Sequence, residues 1–92
     1  MGILLKVDGS YEEVLPKDNQ SFTLEELQEY VGGYIERIDM FDGHAMYVDE
    51  EGRLKNSPTN ILATGALLQA LHVSSVNHIK GNAIIVPYKE ER

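Results

Sequence analysis

The sequence contains no cysteine, so the chain forms no disulfides and has neither thiolate metal ligands nor a thiol nucleophile. It also lacks any apolar run that approaches the roughly 18 residues of a membrane span. The start MGILLKVDG indicates a first strand rather than a secretory signal. We therefore expect a cytoplasmic protein that does not associate with membranes.

Basic residues are also scarce. Eight lysines and arginines stand against fifteen aspartates and glutamates, which gives a formal net charge of −7. Broad electrostatic binding to DNA or RNA needs a basic patch, so we expect no sequence-specific nucleic acid partner. One small anion held in a local pocket is compatible with this charge.

The length of 92 residues predicts a single domain over residues 1–92, with a charged C-terminal tail from about residue 89. A domain of this size without disulfides depends on its apolar core, and small cores leave little spare stability. We therefore expect the chain to form a homo-oligomer.

Apolar and turn patterns predict strands and two helices. The first helix begins after Thr23, whose hydroxyl can cap it while the glutamate three residues later reaches back to the cap amide. It ends at the pair Gly32–Gly33. The second helix begins near Ser57 or Thr59 and ends near His72. The predicted strands are residues 3–7, 11–15, 34–40, 45–48 and 83–86, with residues 76–79 as a further candidate.

The resulting order β-β-α-β-β-α-β predicts an α+β fold. We expect a small two-layer sandwich in which a mostly antiparallel sheet carries both helices on the same face. The other face, or a sheet edge, would then be available for a partner.

The pattern gives little support to a catalytic or metal site. Asp42 and Glu51 fall in predicted turns, where solvated acids normally collect. His44, His72 and His78 lie at no ligand-like spacing. No serine has the strand, glycine-flanked elbow and helix context of a nucleophile. We therefore expect no catalytic residues, no metal ligands and no cofactor.

The preferred site is the start of the second helix, within DEEGRLKNSPTNILAT at residues 49–64. Exposed amides at a helix N-terminus favour an anion, and hydroxyls, an amide and two cations lie close in sequence. Tyrosines would add a stacking surface. The alternative is that Ser57 only caps the helix. The candidate ligand-binding residues are Arg53, Lys55, Ser57, Thr59, Asn60, Thr64, Tyr34 and Tyr47.

Two stretches carry a family resemblance: LEELQEYVGGYIERI, and YVDEEGRLKNSPTNILAT with a final strand around IKGNAIIV. They resemble the small phage- and bacterium-associated family called domain of unknown function 3846. Its members share a leucine-glutamine helix before VGGYIE, an acidic EEG turn followed by a leucine, and an asparagine followed by an alanine and threonine. Many relatives carry a leucine-proline pair before that asparagine and a basic residue after it, whereas here Asn60 follows Pro58–Thr59 and precedes Ile61. The resemblance implies a phage or prophage origin.

Three function hypotheses follow. The leading one is a non-enzymatic phage-type protein that sequesters a small anionic signal, such as a cyclic or ADP-ribose-type nucleotide, and so inhibits antiphage defence in the host cytoplasm. The alternatives are a protein–protein interaction module that inhibits a host or phage protein, and a nucleotide-degrading hydrolase that uses Asp42, His44 or Glu51. Under the leading hypothesis, Lys55→Glu with Asn60→Ala is expected to abolish binding without unfolding the domain.

Overall fold

The fold consists of one five-stranded sheet and two α-helices. In a computed structural model that describes residues 1–92, the elements follow in the order β-β-α-β-β-α-β, as the sequence predicts. The elements are β1 (Gly2–Leu5), β2 (Tyr11–Val14), α1 (Leu24–Val31), β3 (Ile35–Asp39), β4 (His44–Asp49), α2 (Ile61–Leu71), β5 (Ala83–Pro87) and a short 3-10 helix (Tyr88–Glu90). The α+β class is confirmed. Neither α-helix is long and apolar enough to cross a membrane.

The structure decides two details that the sequence leaves open. Residues 76–79 form no strand, and the nearby backbone pairing is a single bridge between Thr59 and Lys80. The second helix begins at Ile61 after the N-cap Asn60, so Ser57 lies in the segment before the helix.

The sheet has the strand order β2-β1-β5-β4-β3, and every neighbouring pair is antiparallel. The last strand therefore lies in the centre. Ile84 of β5 pairs with Leu4 of β1 on one side and with Tyr47 of β4 on the other. The strands β2 and β3 form the two edges.

Each α-helix covers a different face of the sheet. Ile84 belongs to an apolar cluster with Leu27 of α1, whereas Ala83 belongs to a second cluster with Leu67 of α2. Successive strand residues point to opposite faces, so we distinguish an α1 face and an α2 face. The expectation of a two-layer sandwich with both helices on one face is therefore wrong. The molecule has three layers, and each sheet face packs against a helix.

The helix α1 forms from the capping residues that the sequence indicates. Thr23 Oγ1 accepts a hydrogen bond from the backbone N–H of Glu26 at 3.1 Å, and Gly32 ends the helix in the left-handed conformation with φ 84°. Leu27 is buried against the sheet. Glu26 is also buried, and its Oε2 accepts from the backbone N–H of Lys17 at 3.2 Å. This bond fixes the β2–α1 connection to the first turn of the helix.

The charged residues from Lys89 onward pack against the rest of the fold. The backbone carbonyl of Glu90 accepts from the N–H of Phe22 at 2.9 Å. Arg92 forms an ion pair with Asp18 at 2.6 Å. The C-terminal segment thus connects the end of β5 to the start of α1.

Candidate functional site

Asn60, which the sequence marked as a ligand donor, is committed to the fold. Its Oδ1 accepts from the backbone N–H of Ala63 at 3.0 Å and so caps α2. Its Nδ2 donates to the carbonyls of Leu5 at 2.9 Å and Gly81 at 3.0 Å. The residue is fully buried. Both amide hydrogens are therefore used, and the expectation that Asn60 donates to a ligand is wrong.

The other polar residues around the start of α2 are mostly committed as well. Thr64 Oγ1 donates to the carbonyl of Asn60 at 2.8 Å and accepts from the N–H of Ile79 at 3.0 Å. Thr59 Oγ1 accepts from Lys80 Nζ at 2.7 Å. The half-buried Ser57 donates its backbone N–H to another carbonyl, but its hydroxyl makes no hydrogen bond within the chain. The polar side chains of the predicted anion site therefore form internal hydrogen bonds, with Ser57 as the exception.

Lys55 and Tyr34 come together away from the start of α2. They line a cavity of about 260 Å³ with Gln28, Gly33 and Glu51. Lys55 Nζ lies 2.9 Å from Asp49 Oδ2, so its charge is already paired with a nearly buried carboxylate. Tyr34 is two-thirds exposed.

Tyr47 does not line the cavity that contains Lys55 and Tyr34. It is buried on the α1 face, and its hydroxyl donates to the carboxylate of Glu91. Arg37 holds the same carboxylate through Nε at 2.6 Å and Nη2 at 2.9 Å. The predicted stacking role of Tyr47 is therefore wrong, because its ring lies in the core.

Two groups of this network, Glu91 and Tyr47, are expected to make the free energy of unfolding fall at acid and at alkaline pH respectively. The hydrogen bonds from Arg37 lower the pKa of Glu91 below its ordinary value of 4.5, so its stabilisation is present above that pH and lost as the pH falls through the lowered pKa. Burial, together with the bond to Glu91, raises the pKa of Tyr47 from 10.0 to about 12. Its stabilisation is present below pH 10 and lost as the pH rises towards about 12. Urea unfolding over this pH range measures both losses.

Tyr47→Phe separates the alkaline effect from general base denaturation. The variant keeps the buried ring and removes the phenol, so we expect it to lose clearly less stability above pH 10 than the wild type. Tyr11→Phe, at an exposed position, is the control and should behave like the wild type. An equal alkaline loss in Tyr47→Phe and the wild type would contradict the assignment.

A cavity of about 470 Å³ lies on the α2 face, between β3, β4 and residues 76–80. We call it the Arg53–Lys80 cavity, after two cations in its lining. Five of the eight lysines and arginines have a carboxylate within 4.0 Å, and the remaining three are Arg53, Lys80 and Lys89. Two of the three unpaired cations therefore line the same cavity in a chain with a net charge of −7.

The rest of the lining combines apolar and polar groups. Ile38, Val48 and Leu67 form an apolar floor that is continuous with the core under α2. The polar groups are Asn77, His78, Glu36, Asp49 and Glu50. The cavity therefore combines two unpaired cations, three carboxylates and an apolar surface.

Of the eight residues that the sequence proposed, only Arg53 lines this cavity. Thr59 does not line it but accepts a hydrogen bond from Lys80, which does. The sequence does not identify Lys80, Asn77 and His78 as ligand-binding residues, because its pattern leaves residues 76–79 as a candidate strand. The polar run SSVNHIKGN at residues 74–82 was the signal that could have identified them as a loop.

The family relationship follows from a match over the described residues. A family model described as "Domain of unknown function (DUF3846)" matches residues 1–92. The chain belongs to this family. The resemblance carried by the VGGYIE and EEG stretches is thereby confirmed. Comparison with curated proteins and with solved structures gave no match.

In this DUF3846 protein the residues considered for hydrolysis line two different cavities. Asp42 Oδ1 lies 3.4 Å from His44 Nδ1, and both residues line a cavity of about 490 Å³ that also includes His72. Glu51 lines the cavity of Lys55 instead. The structure contains no group of three or more histidine, aspartate or glutamate side chains that could hold a metal ion.

Proposed function

We propose that this DUF3846 protein is a non-enzymatic binding protein that captures a small anionic ligand of the nucleotide class in the Arg53–Lys80 cavity, and that this sequestration inhibits a host antiphage defence. The supporting observation is the meeting of two unpaired cations in one cavity of an acidic chain. A bound anion supplies the charge partner that no carboxylate of the chain provides.

The lining suits a nucleotide better than a simple anion. Arg53 provides a planar guanidinium that binds a phosphate through two hydrogen bonds, and Lys80 provides a second positive charge. Glu36 and Glu50 would accept hydrogen bonds from ribose hydroxyls, as acidic residues do in dinucleotide sites. The cavity volume of about 470 Å³ falls in the usual range of small-molecule sites.

Sequestration needs no catalytic group. A binder present in excess lowers the free concentration of a signalling nucleotide, and the signal then no longer reaches its receptor. The hydrogen bond from Lys80 Nζ to Thr59 Oγ1 already restrains the lysine side chain, so less side-chain freedom is lost when a phosphate binds.

Calorimetric titration tests the proposal with AMP, ADP-ribose, a cyclic dinucleotide and inorganic phosphate, at low ionic strength. We expect at least one nucleotide to bind more tightly than phosphate alone. Arg53→Gln and Lys80→Gln should each weaken that binding about tenfold, because each removes one charge-assisted contact.

Lys89→Gln is the matched control, since Lys89 is the third unpaired cation and does not line the cavity. It should leave the affinity unchanged. An equal loss in Lys89→Gln would mean that binding follows net charge and not this cavity. Loss of binding in Lys55→Gln alone would instead move the ligand to the cavity beside Tyr34.

The state of the ligand after binding distinguishes capture from turnover. Mass spectrometry of the denatured complex should return the intact nucleotide. Accumulation of a cleavage product over several turnovers would replace the proposal with the hydrolase hypothesis. Absence of binding to every member of the panel would remove its support.

A further inference from the structure

We propose that the edge strand β3 pairs with β3 of a second copy of this chain around a two-fold axis, so that the two sheets join into one continuous antiparallel sheet. The strand β3 lies at one end of the sheet and pairs only with β4. Its outer side is therefore open to another strand, and the inference does not depend on the proposed ligand.

The backbone of β3 presents free hydrogen-bonding groups at alternate residues. The carbonyl of Tyr34 accepts from Glu50 at 2.9 Å, and the N–H of Met40 donates to His44 at 3.1 Å, so these residues point towards β4. Alternation along an antiparallel strand then directs the N–H and C=O groups of residues 35, 37 and 39 outwards. An exposed row of this kind is a template for pairing with a further strand.

Charge selects one register for the symmetric pair. Opposed residues in an antiparallel pair share a sheet face, and two-fold symmetry then allows a small set of registers centred on β3. Three of the five registers oppose like charges: Glu36 with itself, Arg37 with itself, or Asp39 with itself. The register centred on Ile35 opposes Arg37 to the uncharged Gly33 and so forms no charge pair. Only the register centred on Ile38 opposes Arg37 to Asp39 of the second copy, twice. Cross-strand pairs of opposite charge stabilise a sheet, whereas like charges destabilise it.

At this register Asp39 and Arg37 each have a polar atom that makes no hydrogen bond within the chain. Asp39 uses Oδ1 for the backbone N–H of Phe41 and for the hydroxyl of Tyr88, whereas Oδ2 makes no hydrogen bond. Arg37 uses Nε and Nη2 for Glu91, which leaves Nη1 free. Phe41 lies in the turn after β3 and is 79% exposed, and in the proposed pair this turn lies near the start of β3 of the second copy, where Ile35 provides an apolar neighbour.

The other edge of the sheet offers no register that pairs opposite charges. The central residues of β2 are Glu12 and Glu13, both exposed. Self-pairing centred on either residue places two carboxylates opposite each other. Charged edge residues of one sign are a common means of preventing edge-to-edge association.

A single introduced cysteine tests the register directly, because the chain has no other thiol. In the proposed pair Ile38 faces its own counterpart at a position without inter-copy hydrogen bonds, where the Cα atoms lie about 4.5 Å apart. That spacing permits a disulfide. Mild oxidation of Ile38→Cys should therefore convert most of the protein into a covalent dimer on a non-reducing gel.

Glu36→Cys and Glu13→Cys are the matched controls. At the proposed register Glu36 lies four residues from its counterpart, roughly 13 Å along the strand, and Glu13 lies on the opposite edge. Neither should cross-link efficiently. Preferential cross-linking of Glu36→Cys would overturn the register, and cross-linking of Glu13→Cys at the rate of Ile38→Cys would overturn the interface.

Analytical ultracentrifugation measures the same association without a cross-link. The wild type should be a dimer in equilibrium with monomer, and Asp39→Asn should raise the dissociation constant about fivefold to tenfold, because it removes two opposite-charge pairs while keeping the acceptor for Phe41. Glu12→Gln should leave the constant unchanged. A wild type that stays monomeric up to about millimolar concentration would overturn the proposal, including the case in which a different protein supplies the strand.

Discussion

Asn60→Ala is expected to lower the free energy of unfolding by about 3 to 5 kcal/mol. The substitution removes a helix cap, worth about 1 kcal/mol, and leaves the carbonyls of Leu5 and Gly81 without their donor. A buried group that loses its partner costs about 1 to 3 kcal/mol. Domains of this size have total stabilities of about 5 to 15 kcal/mol, so the variant approaches unfolding. Urea denaturation followed by circular dichroism measures the loss.

Thr23→Ala provides the matched control for Asn60→Ala. Thr23 caps α1 in the same way but is only half-buried and bridges no other element. Its loss should cost about 1 kcal/mol. If Asn60→Ala lowers the free energy of unfolding no more than Thr23→Ala does, the hydrogen bonds from Asn60 Nδ2 do not stabilise the fold and the interpretation is wrong. The combination of Lys55→Glu with Asn60→Ala, expected from the sequence to spare the fold, would therefore lose binding through unfolding.

Gly52→Ala is expected to destabilise the protein by about 2 kcal/mol or more. A Cβ at this position would lie 2.7 Å from the carbonyl oxygen of Lys80 and 3.2 Å from its Cβ. The nearest obstacle is backbone and cannot rotate away. The neighbouring chain segments must therefore separate, which should also weaken ligand binding in the Arg53–Lys80 cavity. Thermal unfolding and calorimetric titration of the same sample report the two effects.

Gly65→Ala is the opposite case in the same protein. Gly65 lies on the exposed side of α2, and an added Cβ meets no atom within 4 Å. Alanine has a helix propensity about 1 kcal/mol better than glycine, so this variant should be more stable than the wild type. Destabilisation by both substitutions, or by neither, would show that steric contact at Gly52 is not the cause.

The sequence predicts those elements whose determinants are local. Thr23 and Gly32 lie within a few residues of the bonds they make, so the bounds of α1 follow from capping rules. The start of α2 does not follow in this way. Ser57 with the next proline is a good local start signal, but Asn60 forms bonds to residues 55 and 21 positions away and places the helix start there.

The number of layers is visible in the apolar pattern of the strands. Strands with one solvated face alternate apolar and polar residues, whereas strands covered on both faces have continuous apolar runs. The runs ILL, AMYV and AIIV in β1, β4 and β5 are of the second type. They indicate a helix on each face, although the pattern does not say which helix takes which face.

The candidate cavity was only partly accessible to sequence reasoning. Arg53 and Lys55 were both proposed as charge partners of the ligand, and nothing in their spacing shows that Asp49 neutralises Lys55. The meeting of Arg53 with Lys80 depends on the backbone bridge from Thr59 to Lys80. Such a contact between distant segments has no local signature.

The central position of β5 has a consequence for synthesis. This strand joins the β1-β2 hairpin to the β3-β4 hairpin, which have no strand pairing with each other. The ribosome delivers Ala83–Pro87 after both hairpins and both helices. Until then Leu4 and Met46 lack their central neighbour, so a stalled chain exposes apolar surface that chaperones and proteases recognise. The sheet of this domain is therefore expected to close only after β5 has left the ribosome.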